Sequence, residues 1–275
     1  MERAPHQWNH GFAWPEHRDV TTISVAEARA YDELGYFVIE DAFSLDEMEQ
    51  LDAALTHGDE KVKAMLASVP GGRFSVAGLD TQTVAPHAVT RSEHARRFAA
   101  HPLFGGIARD LIGPNVWLYW DQSVYKQPNS AEPVLWHQDN GYTYVEPQSY
   151  LTCWVAITDA TPDNGCVAVM PSAHHDGTLV HRTTPVGQEC WGDWDAAVEV
   201  PVRAGSIVVF TSLTPHATKR NTTDAVRKAY ILQYAPDGAV ALRGEPTDGA
   251  PVARDRQNDK RRQFWVVRDG DLVTE

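Results

Sequence analysis

The chain has 275 residues, 43% hydrophobic and 22% charged, a globular composition that excludes a disordered, collagen-like or disulfide-scaffold protein. Its 37 acidic residues against 24 lysines and arginines give a formal net charge of −13. Such a surface repels phosphate backbones and anionic membranes, so neither nucleic acid nor membrane is expected as a partner. Three cysteines, Cys153, Cys166 and Cys190, form no CxxC pair and read as small buried hydrophobes in a reducing compartment. No apolar run approaches the ~20 residues of a membrane span. Met1–Trp8 offers no apolar core for a signal peptide, and the expected location is the cytoplasm.

Residues 1–20 show no periodicity and read as an irregular arm. Ser24–Glu27 and Ser44–Glu47 each fit a capping box, and Leu45, Met48, Leu51 and Leu55 then repeat at helical spacing. Between the two helices, Tyr36–Ile39 is a short strand opened by Gly35. A third helix is expected over 103–112, stopped by Gly113-Pro114. Beyond Pro114 the texture changes to strands: Asn115–Lys126, Leu151–Thr158, Cys166–Met170, Ser206–Thr211 and Arg227–Tyr234, separated by turn signals. The stretches 70–90 and 174–200 read as irregular, the places for lids and specificity contacts. The charge run Arg254–Arg262 reads as solvated surface, and Phe264–Val267 as a segment packing back on the core. Helices first and strands afterwards predict a mainly β protein with an α-helical N-terminal layer around a jelly-roll or barrel core. The expected organisation is one domain, 1–275, with a helical layer at 22–113, a β core carrying the site at 114–236 and a C-terminal segment at 237–275.

The chemistry concentrates in Trp136-His137-Gln138-Asp139. Residues two apart in extended chain point to the same side, so His137 and Asp139 present an imidazole and a carboxylate to one point. One further neutral imidazole would complete two nitrogens and a carboxylate on one face of an octahedron, the facial triad of non-haem Fe(II) oxygenases. His216, 79 residues later, supplies it at the end of the apolar strand that starts at Gly205-Ser206. Arg227, eleven residues further on, opens the next strand. If these two strands are antiparallel neighbours, Arg227 lies beside His216 as a two-pronged clamp for a dicarboxylate cosubstrate, with the Thr218 hydroxyl adding to it.

This constellation resembles the phytanoyl-CoA dioxygenase family, Fe(II)/2-oxoglutarate-dependent oxygenases with a double-stranded β-helix core. The similarity extends through Gly35–Ile39, Leu151–Ile157, Asp163–Pro171 and Gln263–Gly270, most of residues 22–270. It implies Fe(II), 2-oxoglutarate and O2 as cofactor and cosubstrates, with His137, Asp139 and His216 as metal ligands and catalytic residues. It implies Arg227 and Thr218 at the distal carboxylate, and places Gln122, Lys126 and Trp154 near the cosubstrate. Asn221 resembles the asparagine that orders the turn after the distal histidine. One departure is Pro171-Ser172-Ala173-His174, where the family has Pro-Gly-Ser-His, so the turn must form without its glycine.

A competing set of His174, His175 and His181 is disfavoured as a metal site, because adjacent histidines on a strand point to opposite faces. His174 alone is left as a possible cleft residue. No GxSxG elbow, Walker loop, GxGxxG or HExxH is present. The reaction expected is hydroxylation of an unactivated C–H bond of a small molecule, a secondary metabolite or amine-bearing compound, with release of succinate and CO2. The Asp139 carboxylate argues for oxygenation over halogenation. Acyl-CoA hydroxylation within the family, a metal-dependent isomerase or hydrolase on the same barrel, and a non-catalytic binder are the alternatives. Trp117, Tyr119, Trp120, Tyr142, Tyr144, Trp191 and Trp194 are candidate pocket aromatics.

Overall fold

The computed structural model describes residues 1–9, 11–16, 19–244, 253–256 and 259–273. Helix α1 (Val25–Leu34) starts at Ser24, whose hydroxyl accepts from the Glu27 N–H while the Glu27 carboxylate accepts from the Ser24 N–H at 2.6 Å. It ends at Gly35, which takes φ +85° and turns the chain into β1 (Tyr36–Ile39). The Ser44–Glu47 box starts α2 (Leu45–Ser68) in the same way, and this helix buries Met48, Leu51, Leu55 and Leu66 along one face. Then follow β2 (Gln82–Pro86), α3 (Glu93–Ala99) and α4 (Pro102–Leu111). α4 carries proline at its first position and lies where a helix was expected at 103–112.

The β core comprises β3 (Val116–Lys126), β4 (Val134–His137), β5 (Leu151–Ala156), β6 (Val167–Val169), β7 (Val198–Val200), β8 (Ile207–Thr211), β9 (His216–Thr218) and β10 (Arg227–Pro236). The main sheet runs β1, β8, β5, β10, β3, β2, all antiparallel, and the smaller sheet runs β7, β6, β9, β4. β11 (Trp265–Arg268) adds to the start of β3 and buries Phe264, Val266 and Val267, so this segment does return to the core.

Alternation along the main-sheet strands sorts their side chains into two layers. Leu151, Cys153 and Val155 of β5 and Tyr230, Leu232 and Tyr234 of β10 join the helices in one apolar cluster with Tyr31, Leu51, Phe98 and Phe104. The alternate positions, Trp154, Ala156 and Ala229, pack with Val167 and Val169 of the smaller sheet. Two facing sheets backed by helices make this a jelly-roll, double-stranded β-helix fold. All three cysteines are buried free thiols.

Three expectations need correction. Residues 70–90 are not irregular: Arg73–Phe74 and Ala77–Gly78 continue the main sheet beyond β2, because pairing across the sheet supplies the order that local propensity lacks. Residues 174–200 likewise hold strands, Arg182–Thr184 paired with Gly187–Glu189 and Val198–Val200 paired with Val167–Val169, whereas the charge run stays on the surface, with Ala253–Arg256 paired with Val240–Arg243 and the Arg254 side chain 61% exposed. Within the expected C-terminal segment, 245–252, 257–258 and 274–275 lie outside the described residues, as do 10 and 17–18 of the arm. The third correction concerns His216 and Arg227. β9 and β10 belong to opposite sheets, so the two side chains meet across the sandwich and not along a ladder.

Candidate metal centre

His137 ends β4 and pairs in register with His216 at the start of β9, which puts their rings 4.2 Å apart. Gln138 remains extended (φ −108°, ψ 146°), so Asp139 still projects to the side of His137 although it opens a one-turn helix, Asp139–Tyr142. One ligand atom from each of His137, Asp139 and His216 lies within 4.8 Å of the others, the one such cluster among the described residues. Each imidazole is oriented by its own backbone. His137 Nδ1 donates to the Leu135 carbonyl at 2.7 Å and His216 Nδ1 to the Thr214 carbonyl at 3.0 Å, which leaves both Nε2 lone pairs free for a metal. Burial, with His216 beside it, pushes the His137 pKa well below its ordinary value and keeps it in the neutral form a metal needs.

Several supporting residues were not anticipated from the sequence. The Thr152 hydroxyl on the inner face of β5 donates to Asp139 Oδ2 at 2.5 Å and leaves the other oxygen for coordination. Gln138, fully buried, is held at both ends by backbone: its amide donates to Gly177 and Leu213 and its carbonyl accepts from Leu179 N–H. His181 accepts the Gln138 N–H at 3.0 Å and donates from Nδ1 to the Leu179 carbonyl. It therefore braces the ligand loop and is not itself a ligand. The only sequence signal for these residues was their inward parity on a strand or their place beside the motif, and many positions share that.

The same cavity, of about 410 Å³, contains Arg227, Thr218, Gln122, Trp154, Gln233 and Tyr150 together with the triad. Lys126 sits opposite Arg227 in the β10–β3 register and is 1% exposed, so its amine is buried and not on the surface. Its Nζ donates to Thr218 Oγ1 at 2.7 Å. Burial and the neighbouring Arg227 push the Lys126 pKa down to about 6, and burial lowers that of Arg227 to about 10. Arg227 lies over the Trp154 ring at 5.1 Å, while its Nε and Nη1 are buried with no hydrogen-bond partner among the described residues. The orphaned donors of the Arg227 guanidinium, beside the Lys126 amine, form a site that the far carboxylate of a dicarboxylate fits. Gln122 accepts from the Trp120 indole at 3.0 Å and lines the same cavity. Asn221 orders the turn between β9 and β10 by donating to the Ala225 carbonyl at 2.7 Å and accepting from Thr223.

His174 and His175 do not lie on a strand. They occupy a single tight turn, Ala173–Asp176, with their rings 4.1 Å apart, and His174 packs on Trp14 outside the cavity. Ser172 adopts the left-handed conformation (φ +62°) where the resemblance has glycine. Its hydroxyl donates to the Glu33 carbonyl at 2.7 Å and its N–H to Leu34 at 3.0 Å, which offset the backbone cost. Of the candidate aromatics, Tyr119, Trp120, Tyr142 and Tyr144 line cavities at the site. Trp117 stacks on Trp265, and Trp194 on Trp136.

Comparison with known proteins agrees with this geometry. The phytanoyl-CoA dioxygenase (PhyH) family model matches residues 31–229. Phytanoyl-CoA dioxygenase domain-containing protein 1 of Danio rerio is 29% identical over 211 residues, 69% of this chain and 72% of the relative. The peroxisomal phytanoyl-CoA dioxygenase of Rattus norvegicus is 25% identical over 260 residues, 86% and 75% of the two chains. Among solved structures, the non-haem alpha-ketoglutarate-dependent carbocyclase SnoK from nogalamycin biosynthesis superposes with a TM-score of 0.70 at 27% identity, covering 91% of this chain and 100% of that one. This chain is a 2-oxoglutarate-dependent non-haem iron dioxygenase, with Fe(II), 2-oxoglutarate and O2 as its cofactor and cosubstrates. It belongs to the phytanoyl-CoA dioxygenase family. Among the described residues, no helix is long and apolar enough to cross a membrane.

Proposed function

We propose that the protein hydroxylates an unactivated C–H bond of a small molecule, with His137, Asp139 and His216 as the Fe(II) ligands. When bound, iron with 2-oxoglutarate and O2 supplies the oxidation, and the cosubstrate leaves as succinate and CO2. The two imidazoles offer neutral nitrogens and Asp139 the single anionic oxygen, held in place by Thr152. Arg227, Thr218 and Lys126 receive the distal carboxylate, Gln122 lies along the cosubstrate, and Trp154 closes the apolar side of the clamp. Val124, Val167 and Ile231 in the same wall keep water from that end.

The observation that carries this reading is the presence, in one cavity, of the triad and of a buried guanidinium with unsatisfied donors. A hydrolase or isomerase built on the same triad has no use for the second feature. The unpaired buried cysteines fit a reducing compartment such as the cytoplasm.

The test is anaerobic addition of Fe(II) and 2-oxoglutarate, followed in the visible spectrum. A weak metal-to-ligand charge-transfer band is expected in the native protein, and succinate is expected once O2 and a substrate are supplied. Asp139→Ala is expected to lose both. A native-strength band and full succinate yield in that variant would refute the ligand assignment.

A further inference from the structure

The metal-centre cavity shares Tyr119, Trp120, Tyr142 and Thr143 with a second cavity of about 690 Å³. Part of its wall comes from the N-terminal arm. His6 and Trp8 pack on Tyr144 with ring centroids 4.8 and 5.3 Å away. The arm is fastened in place and does not hang free. His6 N–H donates to Thr178 O at 2.7 Å, Val180 N–H to Ala4 O at 2.8 Å, and the Tyr144 hydroxyl to Asn9 Oδ1 at 2.9 Å.

The charge of this wall is informative. Among the described residues, no carboxylate lines the second cavity, and its one cation, Arg243, is already paired with Asp255. Burial lowers the pKa of both imidazoles, His6 and His181, the latter to about 4, so neither carries a charge near neutral pH. A phosphate or carboxylate entering here would lose water without gaining a free cation. Flat apolar rings, by contrast, meet aromatic faces on several sides.

We propose that the second cavity seats the distal part of the substrate and selects a ring-bearing molecule without anionic groups, with Trp8 of the arm as a specificity-determining contact. The proposal rests on the oxygenase reading above and deepens it. It disfavours acyl-CoA thioesters, whose phosphates would find no free cation.

Binding, read without turnover, tests it. The full chain is loaded anaerobically with Fe(II) and 2-oxoglutarate, its charge-transfer band is recorded, and tryptophan fluorescence is then titrated with three probes. These are 2-(hydroxymethyl)anthraquinone, its 2-carboxylate analogue and decanoyl-CoA. The neutral probe is expected to bind about tenfold or more tightly than either charged one, and equal or tighter binding of a charged probe would overturn the proposal. Trp8→Ala is expected to weaken the neutral probe about tenfold and Trp8→Phe to restore most of the loss, since the contact is aromatic. Unchanged affinity in Trp8→Ala would overturn the role of the arm. Absence of the band counts against the oxygenase site alone, whereas a normal band with no binding of the neutral probe refutes the second-cavity proposal.

Discussion

Lys126 and Arg227 stand side by side in the β3–β10 register, and neither has a carboxylate partner among the described residues that would justify its burial. Burial first, and the neighbouring Arg227 second, push Lys126 down to about 6. The consequence for cosubstrate binding has a definite sign. Above pH 6 the free site holds mostly neutral amine, while a bound carboxylate favours the ammonium, so 2-oxoglutarate binds with proton uptake. Its affinity should therefore fall as pH rises from 6 toward 8, by at most about tenfold per unit. Lys126→Met should flatten the profile, and a flat profile in the native protein would refute this coupling. Arg227→Ala removes the two-pronged donor from the same pocket and should raise the 2-oxoglutarate KM by roughly thirtyfold or more, with the fold intact by circular dichroism.

At the scale of elements, the corner between α1 and β1 connects the helical layer to the metal centre. Gly35 takes φ +85°, and a Cβ there would stand 2.6 Å from both His174 Nδ1 and Thr214 Oγ1. The Thr214 hydroxyl donates to the Gly35 carbonyl at 2.7 Å, and the Thr214 carbonyl in turn orients His216. Packing at this corner thus fixes one proposed metal ligand from a residue far away in the chain. Gly35→Ala should cost about 2–4 kcal/mol of stability, read by denaturant unfolding. It should also weaken Fe(II) binding by roughly tenfold, since the carbonyl that holds His216 would shift. A variant with native metal affinity would show that the corner serves the fold only.

The whole molecule shares one large apolar cluster between its helices and the outer face of the main sheet, from Tyr31 and Leu51 through Cys153 and Ile207 to Tyr230. We propose that the helical layer and the β core form a single cooperative domain, for which calorimetry should show one unfolding transition; two resolved transitions would refute it. The residues proposed as metal ligands come from two distant places in the chain and meet only in the folded state, so metal and cosubstrate binding should stabilise that state. At 100 times their apparent Kd, about 2.7 kcal/mol is expected, with Zn(II) replacing Fe(II) for stability but not for succinate formation, and a chelator reversing the gain.

The parts legible in the sequence are those whose chemistry is local or demands particular residue types. Two capping boxes, the helical period of α2, the β-rich run after Pro114 and the clustering of His137, Asp139 and His216 all belong to this set. A facial triad admits few residue types, and its spacing survives as a motif. Only the folded chain brought Arg227 across the sandwich from His216, buried Lys126 beside it, and turned Thr152, Gln138 and His181 into supports for the ligands. It also fastened the arm over the second cavity. Inward parity on a strand is common to dozens of side chains. Which of them converge on one point depends on the sheet order and register that bring distant segments together, and local periodicity carries no record of either.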